Sequence, residues 1–345
     1  MSDLLSDLKS ALQVENLQAV SNAARGLVQG APALGARWAE VADASLLAGD
    51  ELTALAAAQK LTTALPDHPE SWLWLASIHA ALDAPEQVVA TLERQAGRFP
   101  RNGAIQRRMG RALLQMNQAA RAESCFVNAL RINPKDALAW EGLSQAKTFE
   151  RGDDDLADME QLRISWPADA PAADRGVLSY TVAKAYEDLG EYETAARRVS
   201  EGAAFYREAA PFDVDQHEQG VEHVLSVYDA RFAEANDEAG MLDARPVLIL
   251  APPRSGADWL AAVLSAPGDA ARLSRRNAMF WAASAPLGDH RPEDLLRAFQ
   301  EGGQNILSEV GRIYLERLTE LAGREVARVI DPSGLLEIAG GAAGL

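Results

Sequence analysis

The chain holds a single cysteine, Cys125, among 345 residues, so no internal disulfide is expected. No run approaches about 18 apolar residues, so no transmembrane helix is expected and a membrane is not an expected partner. The first residues, Met1–Leu8, have neither the basic start nor the long apolar core of a secretory signal, and the cytoplasm is the expected compartment. A basic excess is missing too: the net charge is −17, which argues against nucleic acid as a partner. Histidine is scarce, and His217 and His223 lie six apart without a ligand cluster, so no metal is expected. From Arg245 to Leu345 there is no lysine, which excludes a phosphate loop of the Gly-x-x-x-x-Gly-Lys-Ser/Thr form. No Gly-x-Ser-x-Gly occurs, so Ser255 is not a nucleophile elbow.

What is present suffices for two ordinary globular parts, with 48% apolar residues. The charge is uneven. From Arg245 onward 11 arginines nearly balance 12 acidic residues, and the remaining −16 lies in residues 1–244. That acidity suits either a basic partner or a solvated helical surface.

The first half keeps a strict period. Pro32, Pro66, Pro100 and Pro134 follow one another at 34 residues. Trp38, Trp72, Gln106 and Trp140 take the same step, as do the small residues Ala42, Ala76, Gly110 and Ser144. A period of 34 with these marks is the tetratricopeptide signature. The small residue lets two helices approach, the tryptophan fills their interface, and proline ends the second helix. The three tryptophans are therefore expected in the core. Residues 3–29 read as an earlier helical pair, a cap on the array. The period breaks around residues 151–155, and Pro167 and Pro171 mark a connector. Ala183, Tyr186, Leu189, Gly190, Tyr192 and Ala195 fit one more repeat, followed by a helix over about 217–233 and a linker at 236–240. Arg107, Arg111, Gln115, Glu141 and Gln145 fall on first helices at positions expected to face a concave groove. They read either as contacts to a bound polypeptide or as solvated helix residues.

Chemistry concentrates after residue 245. Val247–Leu250 reads as a short buried strand, Pro253-Arg254-Ser255-Gly256 as a tight turn, and Trp259–Leu264 as the apolar pattern of a helix. Unpaired N–H groups and the dipole at a helix start favour an anion, and Arg254 adds a fork of donors. Arg254 reads alternatively as a structural arginine paired with a carboxylate. Asp258 stands where an anion would sit, and is expected to cap the helix in its place.

This loop resembles the phosphosulfate-binding loop of the PAPS-dependent sulfotransferases that follow tetratricopeptide repeats, the tyrosylprotein sulfotransferase-like group. Their loop reads Pro-Arg-Ser-Gly-Thr-Thr; here Pro253, Arg254, Ser255 and Gly256 match, while Ala257 and Asp258 replace the hydroxyl pair. The resemblance extends to Leu189-Gly190-Glu191-Tyr192, Pro211-Phe212-Asp213, Tyr314-Leu315-Glu316-Arg317-Leu318 and a strand over 326–330 leading to Asp331-Pro332. It implies a nucleotide cofactor, PAPS, on Pro253, Arg254, Ser255 and Gly256, and sulfonate transfer to a polypeptide. Against it, Arg275 stands where the family places its glutamate base, and the lysine beside Asp331-Pro332 is absent. Glu293, Glu301 and Glu309 are conceivable substitutes. The residues after Gly334 also stop short of the family's full domain.

The expected architecture is multidomain α and α/β: a tetratricopeptide α-superhelix with its N-terminal cap over 1–165, a further repeat and connecting helix over 166–240, and a partial P-loop-like sulfotransferase α/β domain over 241–345. Strands are expected near 247–250 and 326–330, and helices over about 258–264, 293–300 and 304–321. Two functions stay open. One is a noncatalytic interaction module with a degenerate sulfotransferase-like domain, where PAPS binds weakly or not at all. The other is a PAPS-dependent protein sulfotransferase.

Overall fold

The computed structural model describes residues 2–13, 17–167, 169–227, 231, 234, 241–249, 251, 255–266, 268–273, 292–322 and 326–332. The chain is mostly helical, with a small parallel sheet. It forms two compact units, Met1–Ala64 with Val214–Leu345, and Leu65–Asp213.

The first unit begins with two helix pairs, α1 (Ser2–Gln13) with α2 (Leu17–Gly30) and α3 (Trp38–Leu47) with α4 (Glu51–Ala64). A 3-10 turn, Gly35–Arg37, leads into α3. Asp50 fixes the turn between α3 and α4. Its carboxylate accepts from Ser21 Oγ at 2.6 Å, Arg25 Nε at 2.6 Å and the Thr53 N–H at 3.2 Å, the last capping α4. Burial alone would raise its pKa, but the hydrogen bonds from Ser21, Thr53 and Arg25 outweigh it and hold the carboxyl below the usual range.

The unit Leu65–Asp213 carries α5 (Pro69–Ala81), α6 (Pro85–Ala96), α7 (Gly103–Gln115), α8 (Ala119–Ile132), α9 (Ala137–Ala146), α10 (Asp154–Ser165), α11 (Ala172–Asp188) and α12 (Tyr192–Ala209). The period of the sequence is a period of structure. First helices begin at Pro69, Gly103 and Ala137, and second helices at Pro85 and Ala119, each step being 34 residues. Prolines open α5 and α6, where a missing N–H costs nothing. Asn102 and Asp136, again 34 apart, cap α7 and α9 through their side chains. Between paired helices Asp83 (φ 53°) and Asn117 (φ 56°) take the left-handed backbone, as Gly49 (φ 68°) does one step earlier.

The recurrent tryptophans have two jobs. Trp38 and Trp140 are buried, whereas Trp72 is half-buried. The indoles of Trp72 and Trp140 also donate, each at 2.9 Å, to the carbonyls of Pro66 and Pro134. This satisfies a backbone acceptor just past a helix end, where none exists within the helix. The recurrent small residues admit a large neighbour. A Cβ on Gly110 or Gly142 would lie 2.7 Å or 2.2 Å from the ring of Phe126, which is wholly buried on α8 between α7 and α9. Burying that ring is worth about 2–3 kcal/mol.

Where the period breaks, the connector is not loose. It contains α10, and α11 packs directly on α9. Phe149 is buried in the common core; its N–H donates to Asp188 Oδ2 at 3.0 Å, and the ammonium groups of Lys147 and Lys184 lie 4.9 and 5.3 Å from its ring. Lys147 bridges Asp153 and Asp155, while Lys184 holds Asp188 and the Lys147 carbonyl.

Returning to the first unit, the chain continues through α13 (Val214–Val227), β1 (Pro246–Leu248), α14 (Ala257–Ser265), β2 (Ala270–Arg272), α15 (Pro292–Ala322) and β3 (Arg328–Asp331). The strands are parallel in the order β1-β3-β2, with Val247 opposite Ile330 and Ala271 opposite Val329. Ile249, Ala261, Ala270 and Ile330 form the core between sheet and α14. β2 was not expected from the sequence. Two helices were expected over 293–300 and 304–321; a single helix, α15, runs through Gly302 and Gly303. Its buried stripe of Leu307, Val310, Tyr314 and Leu318 supplies the packing that outweighs glycine's poor propensity.

Candidate anion site and helical surfaces

The βα turn after β1 lies at the carboxyl end of a parallel strand, where α/β sheets place ligands. Pro253 and Arg254 lie outside the described residues, as does Arg275. Ser255 and Gly256 are described: Gly256 has φ 94° and occupies the N-cap position of α14. Only a residue tolerant of the left-handed region fits there. The expectation that Asp258 caps this helix is therefore corrected. Asp258 lies inside the first turn and its Oδ1 faces Arg272 Nη2 on β2 at 3.4 Å. A carboxylate in the first turn opposes the positive end of the helix dipole, and the arginine meets its charge.

At the end of β3, Asp331 is fully buried. Its carbonyl accepts from the Ile249 N–H at 3.0 Å, and its carboxylate accepts from Tyr314 Oη at 2.9 Å. Burial, then the neighbouring Asp331 charge and this hydrogen bond, push the Tyr314 phenol far above its usual range. The sequence marked both motifs but gave no sign that they meet, because 17 residues and a helix-to-strand turn separate them. In the same helix the Arg317 guanidinium donates to the Gly49 carbonyl and lies 3.8 Å from Glu51. Glu309 pairs with Arg312 at 2.6 Å on an exposed face of α15. The side chains of Glu293 and Glu301 lie outside those described.

On the helix pairs, Arg107, Arg111 and Gln115 fall at successive turns of α7, and Glu141 and Gln145 at successive turns of the neighbouring α9. Arg111, Gln115 and Gln145 are exposed, and Glu141 is half-buried. Arg107 is already engaged: its Nε lies 2.9 Å from Oδ2 of Asp136, the cap of α9. Sequence reasoning missed Arg108, whose Nη1 donates to the Leu73 carbonyl at 3.1 Å. Burial, followed by the charge of Arg107, draws its pKa down. Also unforeseen is an open groove of about 400 Å³ between α11 and α12.

Among the described residues no group of three His, Cys, Asp or Glu could hold a metal ion, and no helix is long and apolar enough to cross a membrane. No family model matches the chain. It is similar to an uncharacterized protein of Aquifex aeolicus (strain VF5), with 19% identity over 271 residues. The match covers 77% of this chain and 35% of that protein, so the chain spans about a third of the length of the curated relative it matches.

Proposed function

We propose that the chain is a tetratricopeptide-type module that holds a polypeptide, joined to a sulfotransferase-like α/β part that does not catalyse. The observation that carries this reading is the Asp258–Arg272 pair in the first turn of α14. Positioned donors and positive charge are what sulfonate transfer, like phosphoryl transfer, demands of a protein. At this helix start the chain supplies a carboxylate of its own, with an arginine committed to it. An incoming sulfate or phosphate would meet repulsion of about 1 kcal/mol from a solvated Asp258. On this reading PAPS binds weakly or not at all, no metal takes part, and the polypeptide lies along Arg107, Arg111, Gln115, Glu141 and Gln145. Neither nucleic acid nor a membrane is a partner, and the compartment is the cytoplasm.

A second reading, a PAPS-dependent protein sulfotransferase, draws on the left-handed Gly256 between a parallel strand and a helix start. That is the backbone an anion-binding turn requires. Incubation of the chain with sulfur-labelled PAPS and tyrosine-containing peptides separates the two. The noncatalytic reading expects no label on any peptide; label that depends on Arg254 would replace it with the second.

A further inference from the structure

The groove between α11 and α12 lies at a position that the preceding helix pair explains. The left-handed turn residue is Asn117 in one pair and Gly190 in the other, and each second helix starts two residues later. On this alignment Ala195 stands where Ala122 does, Val199 where Phe126 does, and Ala183 where Gly110 does. In the earlier pair, whose two helices both pack on α9, Phe126 is the wholly buried centre of the receiving face, and a Cβ on Gly142 of α9 would collide with it. In the later pair Val199 is 45% exposed, Tyr192 69% and Tyr180 38%. Ala183, Ala195 and Val199 thus repeat the positions of a helix-receiving face, and Tyr180 and Tyr192 line the groove beside them. The Lys184 ammonium at its edge is already matched by Asp188. Glu187 and Glu191, both exposed, make the turn end of the groove acidic.

We infer that this face binds one amphipathic helix of a partner polypeptide, with an apolar stripe and with lysine or arginine in its last turn. The direction follows from α9, which starts near the end of α8 and runs back toward the Asn117 turn. A helix seated in the same sense ends at the Gly190 turn, beside Glu187 and Glu191. There its basic residues meet both the acidic rim and the negative end of their own helix dipole. This inference does not depend on the reading of α7 and α9 as a peptide groove, nor on the anion site.

The test uses the full chain, labelled with nitrogen-15. The probe is a synthetic amphipathic helical peptide of about 18 residues, long enough to hold a helix on a surface, with lysines in its last turn. Amide shifts are expected to change on α11 and α12 and to saturate. Val199→Glu, an exposed substitution, should abolish the effect, with unchanged circular dichroism showing that the chain still folds. A peptide with glutamates in place of its lysines should bind about fivefold more weakly, as expected for exposed charge pairs. Shifts on other helices, none at all, or an unaffected Val199→Glu would overturn the assignment. Equal binding of both peptides would overturn its electrostatic half.

Discussion

The Tyr314 phenol donates to the Asp331 carboxylate at 2.9 Å, and the two buried groups join the long helix α15 to the end of the central strand β3. Removing the donor leaves a buried carboxylate with one partner fewer. Tyr314→Phe should destabilise the unit by about 1.5–3 kcal/mol, the range for a hydrogen bond to a charged group. Chemical denaturation of the two proteins measures it.

The same pair sets an alkaline limit. The folded phenol has its pKa raised above the unfolded value of 10. Its stabilisation is therefore complete below pH 10 and is lost progressively as the pH rises beyond it. The midpoint for unfolding of the wild-type chain should fall above pH 10, and Tyr314→Phe should flatten that decline.

Asp50 sets the opposite limit. Its folded pKa lies below the unfolded value of 3.8, so its contribution is present above that pH and disappears as the pH falls through the folded value. Asp50→Ala should lower stability at neutral pH, by about 1 kcal/mol for the cap alone, and should reduce the loss seen below pH 3.8. Urea midpoints across that range read both effects.

Phe126 needs both Gly110 and Gly142. Gly142→Ala should cost about 1–3 kcal/mol through overpacking, despite the gain in helix propensity. Phe126→Leu in the same chain should recover part of the loss. A double-mutant cycle would then give a coupling energy well away from zero.

At the left-handed turn residue Asp83, glycine should exceed alanine in stability by about 1 kcal/mol, since alanine carries the full steric cost of that backbone. Thermal melts of Asp83→Gly and Asp83→Ala test this order.

The helix pairs were legible because their marks repeat: Pro66, Pro100 and Pro134 bracket units whose helices start on the same step of 34. Their turns were not, since Asp83 and Asn117 lack the glycine that advertises a left-handed backbone. β1 showed as an apolar run and β3 through the family resemblance, whereas Ala270–Arg272 is too short and too small in its side chains to announce a strand. The gap expected between helices over 293–300 and 304–321 is closed by the packing of α15. At the candidate site the turn and its helix were legible, but the partner of Asp258 was not. Arg272 reaches it only through the crossover that sets β2 in the sheet beside β3.

The central claim, that Asp258 and Arg272 have closed this helix start to an anion, is tested most directly by calorimetric titration of the folded chain with PAPS and with its product PAP. The account expects no binding heat from either nucleotide. Saturable binding of PAP that is lost in Arg254→Ala would contradict it and restore a working nucleotide site.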